Sequence, residues 1–225
     1  EIKIIKSIKE DKEKLSASAY DWKNILSLEE QQRASRFHFE NDQHAFILYH
    51  AFKRLILSHY LEKDPKEIEI SLQEKGKPFL KNEPLSFNLS HTKEMAVLAV
   101  SSDVEIGVDI EKIRTSSNYL DIAKRFFHAD EYHQLIKIEN THQQLQHFFI
   151  LWTAKEAILK ATGEGIAAGL NSFYIISNSH KLQHTYPSNI VLTPLQTPNN
   201  YVATLAIIGE NRPVAYRELS FFRRQ

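Results

Sequence analysis

The spacing of apolar residues changes several times along the chain, and each spacing predicts an element. In the first part, apolar residues at every second position predict strands over residues 2–8, 66–74, 85–91, 94–102 and 104–113. A helical spacing over residues 27–61 predicts one or two helices. Ser27 with Glu30 three positions later forms a capping box, which places a helix start at residue 27.

The second part of the chain repeats this order of elements. Residues 117–138 have a helical pattern, and residues 142–165 predict a long helix that stops at Gly163. The remaining patterns predict strands over residues 172–178, 189–195, 201–208 and 213–222. Because helices and strands are segregated in each part, we expect an α+β fold of two halves, 1–107 and 108–225. A return of the last strand to the N-terminal half is an alternative.

Composition narrows the classes of partner and location. The chain has 225 residues, and 28 basic residues balance 28 acidic ones, so no overall positive charge points to nucleic acid. Cysteine is absent, which excludes disulfides, thiolate metal sites and a thiol nucleophile. No apolar run approaches the roughly 18 residues of a membrane span, and the charged first residues lack the core of a signal peptide. We therefore expect a cytoplasmic protein without a membrane partner.

Two carboxylates inside a predicted strand are the first candidate for chemistry. Asp109 and Glu111 are two apart, so they share one face of the strand at a separation of roughly 6.6 Å. Such a pair suits a hard cation such as Mg²⁺, and Gly107 would let the backbone pass close to a ligand. A solvated strand face, with Val108 and Ile110 in the core, explains the pattern equally and is the more common arrangement.

The long second-half helix carries another charged group. Glu156 and Lys160 are four apart and share a helix face, which Lys155 flanks. They fit a third carboxylate at a cation and a phosphate-binding lysine. An ordinary exposed Glu–Lys pair is the alternative, and it is more frequent on helices.

Three further groups offer anion ligands. Ser90 and His91 fall at a bend between two strands, where exposed hydroxyl, imidazole and N–H groups bind phosphate readily. Arg33 and Arg36 share a helix face and could hold a phosphate. A turn is formed by Lys75, Gly76, Lys77 and Pro78, and Lys77 could hold an anion there. A polar hairpin tip, a solvated basic face and plain turn residues are the respective alternatives.

The order of these motifs resembles a known family. With "GKP", "FNLSH", "GVDIEK" and "LWTAKEAILKATGEG" in succession, the sequence is similar to 4′-phosphopantetheinyl transferases of the surfactin-synthetase-activating type, from about residue 27 to 173. The resemblance implies two similar halves about a pseudo-twofold axis, with coenzyme A in the cleft between them. It implies a monomer that transfers phosphopantetheine from coenzyme A to a serine of an acyl, peptidyl or polyketide carrier protein.

The resemblance also implies roles for individual residues. Mg²⁺, with Mn²⁺ as an alternative, would be held by Asp109, Glu111, Glu156 and the pyrophosphate. Glu156 is the first candidate for the base, Lys155 would orient it, and Glu131 is the second candidate. The expected coenzyme A ligands are Arg33, Arg36, Lys75, Gly76, Lys77, Pro78, Ser90, His91, Asp109, Lys155 and Lys160.

The sequence departs from the family pattern in the first helical region. Glu30 stands where some members carry a lysine, and Phe46 stands where some carry a small hydroxyl residue. Two rival functions remain at this point, a non-catalytic module that binds coenzyme A or a carrier protein, and another Mg²⁺-dependent phosphotransfer enzyme. No Walker-type glycine loop supports the second.

Overall fold

The computed structural model describes residues 1–8, 22–115, 118–165, 169–178 and 181–218. Within these ranges the helices are α1 (Leu28–Ala34), α2 (Glu40–Leu61), α3 (Tyr119–Phe126), α4 (Ala129–Leu135) and α5 (Thr141–Thr162). The first strands are β1 (Ile2–Ile8), β2 (Ile70–Leu72), β3 (Pro78–Leu80), β4 (Ser86–His91), β5 (Met95–Ser101) and β6 (Ile106–Lys112). The later strands are β7 (Ile175–Asn178), β8 (Lys181–His184), β9 (Ile190–Pro194), β10 (Tyr201–Ile208) and β11 (Val214–Glu218).

Two larger sheets and one small hairpin organise these strands. The first sheet has the order β11-β1-β5-β4, and the second has the order β6-β10-β9-β8-β7. Strand β11 runs parallel to β1, so the last described strand lies in the sheet of the N-terminal half. The other pairs in these two sheets are antiparallel. The proposed division between residues 107 and 108 falls inside β6 and stays a prediction.

The molecule is built in four layers, helix on sheet on sheet on helix. The inner faces of the two sheets pack together through residues such as Ile4, Val97 and Val108. Helix α2 covers the outer face of the first sheet, where Phe52 is buried against strand residues. Helix α5 covers the outer face of the second sheet. Burial of one such large apolar side chain typically contributes about 1.5–3 kcal/mol, so these interfaces hold the halves together.

The predicted α+β class is confirmed, and the helix ends follow local chemistry. Ser27 accepts from the Glu30 N–H and Glu30 accepts from the Ser27 N–H, which confirms the capping box. Gly163 ends α5 in a left-handed conformation at φ +75°. Strand β8 was not predicted, because its side chains alternate between exposed and half-buried positions and Leu182 is its only large apolar residue. No described helix has the length and apolar character that crossing a bilayer requires.

Candidate active site

The candidate site lies where the face of β6 meets helix α5. Ile106, Val108 and Ile110 of β6 enter the core between the sheets, and Gly107, Asp109 and Glu111 lie on the opposite face. Lys160 reaches this face from α5 and forms an ion pair with Asp109. Asp109 is only 4% exposed. The alternative of a solvated strand face is therefore excluded for this part of β6.

Gly107 is needed for the close approach of this helix. A Cβ atom added at Gly107 would lie 2.2 Å from the Ala157 carbonyl oxygen and 2.3 Å from the Ala161 nitrogen, both in the backbone of α5. We expected Gly107 to make room for a ligand. The structure assigns its space to α5 instead, so the glycine brings the helix that carries Glu156 and Lys160 against the strand that carries Asp109.

One carboxylate oxygen of Asp109 is held from two sides. The Lys160 ammonium lies 2.6 Å from Asp109 Oδ1, and the Ser90 hydroxyl donates to the same oxygen at 2.9 Å. Lys160 also donates to Ser90 Oγ at 3.2 Å. Ser90 thus faces into the site from β4, and the three side chains form one closed network between the two halves.

Burial and mutual repulsion shift the two other carboxyl groups. Burial, then the Asp109 charge, raises the pKa of Glu111 to about 7, and Glu156 adds to this effect. Burial and the Asp109 charge likewise raise the pKa of Glu156. The three acids therefore repel one another in a poorly solvated space, which favours any positive charge that enters it.

The carboxylate oxygens of this site can be compared with the ligands that a divalent cation requires. Within the described part of the chain, Asp109 Oδ2 and Glu156 Oε1 are buried and accept no hydrogen bond. Carboxylate oxygens are the ligands that Mg²⁺ and Mn²⁺ prefer, so these two orphaned oxygens fit such an ion chemically. As the side chains lie, however, no group of three described His, Asp or Glu residues is disposed to hold a metal ion. A metal held by Asp109, Glu111 and Glu156 together stays a prediction.

Lys77, which we predicted to be an anion ligand, contacts groups of the protein itself. Its side chain is buried, donates to the Ala161 carbonyl oxygen at 2.6 Å and forms an ion pair with Glu105. A cation at the C-terminal end of a helix is stabilised by the helix dipole. Lys77 therefore anchors the end of α5 to the N-terminal half, and its ammonium group is not available to a phosphate as placed.

The rest of this turn remains open to a ligand. Lys75 and Gly76 are exposed, and Gly76 takes the left-handed conformation of the turn at φ +89°. Pro78 begins β3 directly after Lys77. The turn packs on the end of α5, since a Cβ atom added at Gly163 would lie 2.7 Å from Gln73 Oε1. The predicted contact of this backbone with adenine stays a prediction.

Lys155 and Glu131 make contacts in the protein core that differ from their predicted roles. Lys155 is fully buried, and its ammonium donates to the carbonyl oxygens of Leu170 and Phe173 and pairs with Glu131 at 3.0 Å. Glu131, 2% exposed, also accepts from the N–H groups of His128 and Ile175. These contacts use both side chains in the core of the C-terminal half. They do not support Lys155 as a coenzyme A ligand or Glu131 as a base, and we assign the pair a structural role.

The predicted basic residues of the first helical region lie at an exposed rim. Arg33 and Arg36 are exposed, and the Arg33 guanidinium lies 5.4 Å from the centre of the Phe46 ring. That ring in turn stacks on His50. His91 stacks on Tyr49 with ring centres 4.1 Å apart, and desolvation and the Lys160 charge lower its pKa. Arg33 and His91 thus offer cationic or N–H groups on the open side of the site.

The departure at Glu30 has a clear structural explanation. Glu30 accepts from His50 at 2.7 Å and from Lys53 at 3.0 Å, and it pairs with Arg54. Burial opposes its charge, but the His50 hydrogen bond and the Lys53 and Arg54 charges outweigh burial and hold the pKa of Glu30 far below its usual range. The acid at this position therefore neutralises cations that α2 buries.

Two sets of residues that shape the site were not predicted from the sequence. Asn88, His50, Lys53 and Arg54 were not singled out. The three basic residues occur at helical spacing in α2, and Asn88 alternates with Ser86 and Ser90 along β4. Either pattern is a usable signal. Neither reveals which partner lies across from it.

An apolar pocket adjoins the carboxylate end of the site. It has a volume of about 140 Å³ and includes Glu111 and Arg114 at its rim. Aromatic and aliphatic side chains form its other walls, namely Tyr119, Ile122, Phe148, Phe149 and Trp152. A reacting molecule at Glu111 would thus find an apolar surface beside the charged one.

Comparison with known proteins gives one family for both halves. The model of the 4′-phosphopantetheinyl transferase superfamily matches residues 105–206, and that of the N-terminal part of 4′-phosphopantetheinyl transferase matches residues 14–103. The chain is 36% identical over 194 residues to the 4′-phosphopantetheinyl transferase HetI of Nostoc sp., a match that covers 82% of this chain and 79% of that protein.

Other known proteins are similar over shorter spans. The chain is 35% identical over 153 residues to the 4′-phosphopantetheinyl transferase Sfp of Bacillus subtilis, covering 68% of this chain and 66% of that protein. The chain also matches the crystal structure of Thermotoga maritima holo-[acyl-carrier-protein] synthase, with a TM-score of 0.39 and 13% identity. This match covers 48% of this chain and 65% of that chain.

Proposed function

The chain belongs to the 4′-phosphopantetheinyl transferase superfamily, and we propose that it transfers the 4′-phosphopantetheine group of coenzyme A to a serine of an apo carrier protein. The observation that carries this proposal is the pairing of Lys160 with one oxygen of Asp109, beside two buried carboxylate oxygens that lack a partner. A cleft with these groups suits a pyrophosphate and a divalent cation better than it suits a purely apolar ligand.

The cation is proposed to be Mg²⁺, with Mn²⁺ as an alternative. Asp109 Oδ2 and Glu156 Oε1 would hold it, and Glu111 would join them in its ionised form. When bound, such an ion neutralises negative charge that builds on the pyrophosphate during transfer. A non-catalytic binding module has little need of three acids that repel one another, which disfavours that alternative.

The reaction is an in-line substitution at phosphorus. The serine oxygen forms a bond to the β-phosphorus of coenzyme A, and the bond from that phosphorus to the oxygen shared with the α-phosphate breaks. The leaving 3′,5′-ADP keeps the electron pair of the broken bond. The serine proton passes to Glu156, the candidate base, whose carboxylate lies close enough to Asp109 to feel its charge.

Cationic groups of the chain position the donor. Lys160 is partly exposed and lies beside Asp109, so its ammonium can move to a pyrophosphate oxygen and stabilise the developing charge. His91 and Arg33 face the open side and suit the other phosphate groups, and Arg36 and the turn at Lys75–Pro78 remain candidates. Positioning and electrostatics are most of what such a transfer asks of a protein. All these groups come from one chain, which makes a monomer sufficient.

An acidic carrier protein needs a complementary surface near the site. Arg114 is exposed at the apolar pocket, and Lys124 and Arg125 are exposed on α3, the helix whose Tyr119 and Ile122 line that pocket. Two neighbouring residues are not part of this surface, because Lys112 pairs with Glu94 and Phe127 is buried. We therefore define the docking surface as Arg114, Lys124, Arg125 and the apolar pocket.

The test is direct. The protein is incubated with coenzyme A, Mg²⁺ and each of several apo carrier proteins, and the mass of the carrier is measured. We expect a gain of one phosphopantetheine. No gain on any carrier would refute the transferase function.

Asp109→Ala tests the site itself. This change removes the partner of Lys160 and one proposed metal ligand, so transfer should fall by at least about 100-fold while coenzyme A still binds, more weakly. Binding is measured by calorimetry. The matched control is Asp103→Ala, an exposed acid paired with Arg212, which should keep wild-type transfer. Wild-type activity in Asp109→Ala would contradict the assigned role.

A further inference from the structure

The polar side chains of β4 form a row that faces β6, although the two strands belong to different sheets. Ser86 Oγ donates to Glu105 Oε1 at 2.9 Å. Asn88 Oδ1 accepts from the Val108 N–H at 2.8 Å, and Ser90 Oγ accepts from the Ile110 N–H at 3.2 Å. The two amide contacts share an offset of 20 residues, which means that β4 and β6 run in parallel at this seam.

The Asn88 and Ser90 side chains accept hydrogen bonds that the backbone of a paired strand would otherwise accept. The amide groups of a strand point alternately to its two sides, and β10 pairs with β6 on one side. The N–H groups of Val108 and Ile110 point to the other side, where β4 lies. Both residues are fully buried, so these donors would cost free energy without an acceptor. Asn88 and Ser90 supply one acceptor each.

Asp109 lies between the two anchored amides, and Ser90 also fixes its carboxylate. A serine hydroxyl has one donor and two acceptor positions. The Ser90 hydroxyl gives its donor to Asp109 Oδ1 and accepts from the Ile110 N–H and from Lys160. Its capacity is complete. A phosphate oxygen needs a donor, and the Ser90 side chain has none left.

We propose that Ser90 and Asn88 are positioning residues, which hold β6 across the seam and aim Asp109 Oδ2 at the cation site, and that the Ser90 hydroxyl is not a ligand of the 3′-phosphate of coenzyme A. The inference rests on the proposed function only for its kinetic consequence. Asn88 is 4% exposed and acts through the Val108 amide alone among the contacts described. The amide contacts themselves exist without any substrate, so they are testable separately.

The experiment compares Ser90→Ala with Ser90→Thr, which keeps a hydroxyl, and with Asn88→Leu. Ser101→Ala is the matched control, because Ser101 is a buried strand serine that bonds Asp103 away from the site. Three quantities are measured on the full chain. They are the hydrogen-exchange rates of the Ile110 and Val108 amides by NMR, the affinity for Mn²⁺ by electron paramagnetic resonance, and kcat/KM with coenzyme A relative to dephospho-coenzyme A.

In Ser90→Ala, the hydrogen of the Ile110 amide should exchange with solvent roughly tenfold faster than in the wild type. Its Mn²⁺ affinity should fall about 10-fold or more, as expected for a residue that orients a metal ligand. Its preference for coenzyme A over dephospho-coenzyme A should stay unchanged. Ser90→Thr should restore the first two quantities. Asn88→Leu should speed exchange of the Val108 amide and weaken Mn²⁺ binding in the same way, and Ser101→Ala should behave as wild type.

A ligand of the 3′-phosphate would give the opposite pattern. If Ser90→Ala loses its preference for coenzyme A while amide exchange and Mn²⁺ affinity stay at wild-type values, the inference is overturned. Should the wild-type protein modify no carrier, the proposed function fails, but the exchange and Mn²⁺ measurements still decide the role of Ser90 and Asn88.

Discussion

Glu111 is the residue at which the site most directly opposes the stability of the fold. Burial and two neighbouring acids raise the pKa of its carboxyl group from 4.5 to about 7. The folded protein therefore binds a proton at Glu111 more tightly than the unfolded chain does. Linkage then requires this group to lower stability as the pH rises from about 4.5 to about 7, with the full loss present above pH 7. A bound cation would remove this loss.

Glu111→Gln should accordingly stabilise the metal-free protein at high pH. Glutamine keeps the shape of the side chain but does not ionise, so at pH 8 in EDTA the free energy of unfolding should rise by on the order of 1–3 kcal/mol. At pH 4 the two proteins should be nearly equal, because Glu111 is then protonated in the folded state. Urea unfolding at both pH values measures the difference.

The same change made at an exposed acid provides the control. Glu69→Gln should leave the free energy of unfolding nearly unchanged at both pH values, since Glu69 is exposed to solvent. If Glu111→Gln is less stable than wild type at pH 8, the three acids do not repel one another in the way described here. Addition of Mn²⁺ should reverse the order of the two proteins, because it stabilises more strongly the form that has the complete ligand set.

Helix α5 and strand β6 form the interface that brings the charged residues together. The contact depends on the absence of a side chain at Gly107, where the backbone of α5 occupies the place that a Cβ atom would take. Thr153 on α5 and Thr204 on β10 share a hydrogen bond of 3.0 Å beside it. Because backbone atoms cannot rotate away as a side-chain end can, this interface tolerates little change.

Gly107→Ala should therefore separate the helix from the strand. We expect a loss of about 3 kcal/mol or more in the free energy of unfolding, as in other overpacked cores, and a large loss of transfer. The control is Gly209→Ala, where φ is +101° but the added Cβ atom meets no atom within 4 Å. Backbone strain alone should cost it about 1–2 kcal/mol. Equal costs for the two variants would show that close packing at Gly107 is not what the fold requires.

The elements were far easier to predict than their contacts. The periodicity of apolar residues predicted β1, β4, β5, β6 and β10, and the capping box and Gly163 marked two helix ends. These features depend on neighbours in sequence. The predicted roles of Lys77, Lys155 and Ser90 depended on what lies across from each side chain. Lys77 contacts a carbonyl 84 residues later in the chain, and no spacing rule contains that information.

At the scale of the whole molecule, the site exists because two halves share one seam. Asp109 and Glu111 come from β6, and Ser90 and Asn88 come from β4 of the other sheet. Strand β11 returns to pair with β1, so the chain closes the N-terminal sheet after completing the second. Glu94, which directly precedes β5, adds polar contacts to β6 and β10, since it accepts from both Lys112 and Tyr201. Each half thus supplies groups that the other lacks.

Although the net charge of the chain is zero, two basic residues are adjacent on α3, where they could contact an acidic partner. Lys124 and Arg125 lie in the last turn of α3, where they are exposed and face away from the core that Ala123 joins. Positive charges in the last turn of a helix interact favourably with the helix dipole. Two neighbouring exposed cations on the helix that helps to line the apolar pocket would attract an acidic carrier toward the site.

Reversing both charges, as Lys124→Glu with Arg125→Glu, should raise KM for an acidic carrier protein by roughly 10-fold and change kcat by less than about twofold, because the reacting groups are untouched. The difference from wild type should shrink as ionic strength increases, since screening weakens exposed charges. The matched control is Lys66→Glu with Lys81→Glu, the same change in net charge on exposed residues of the N-terminal half. If both double variants raise KM equally, overall charge governs the encounter; if neither does, the carrier docks elsewhere.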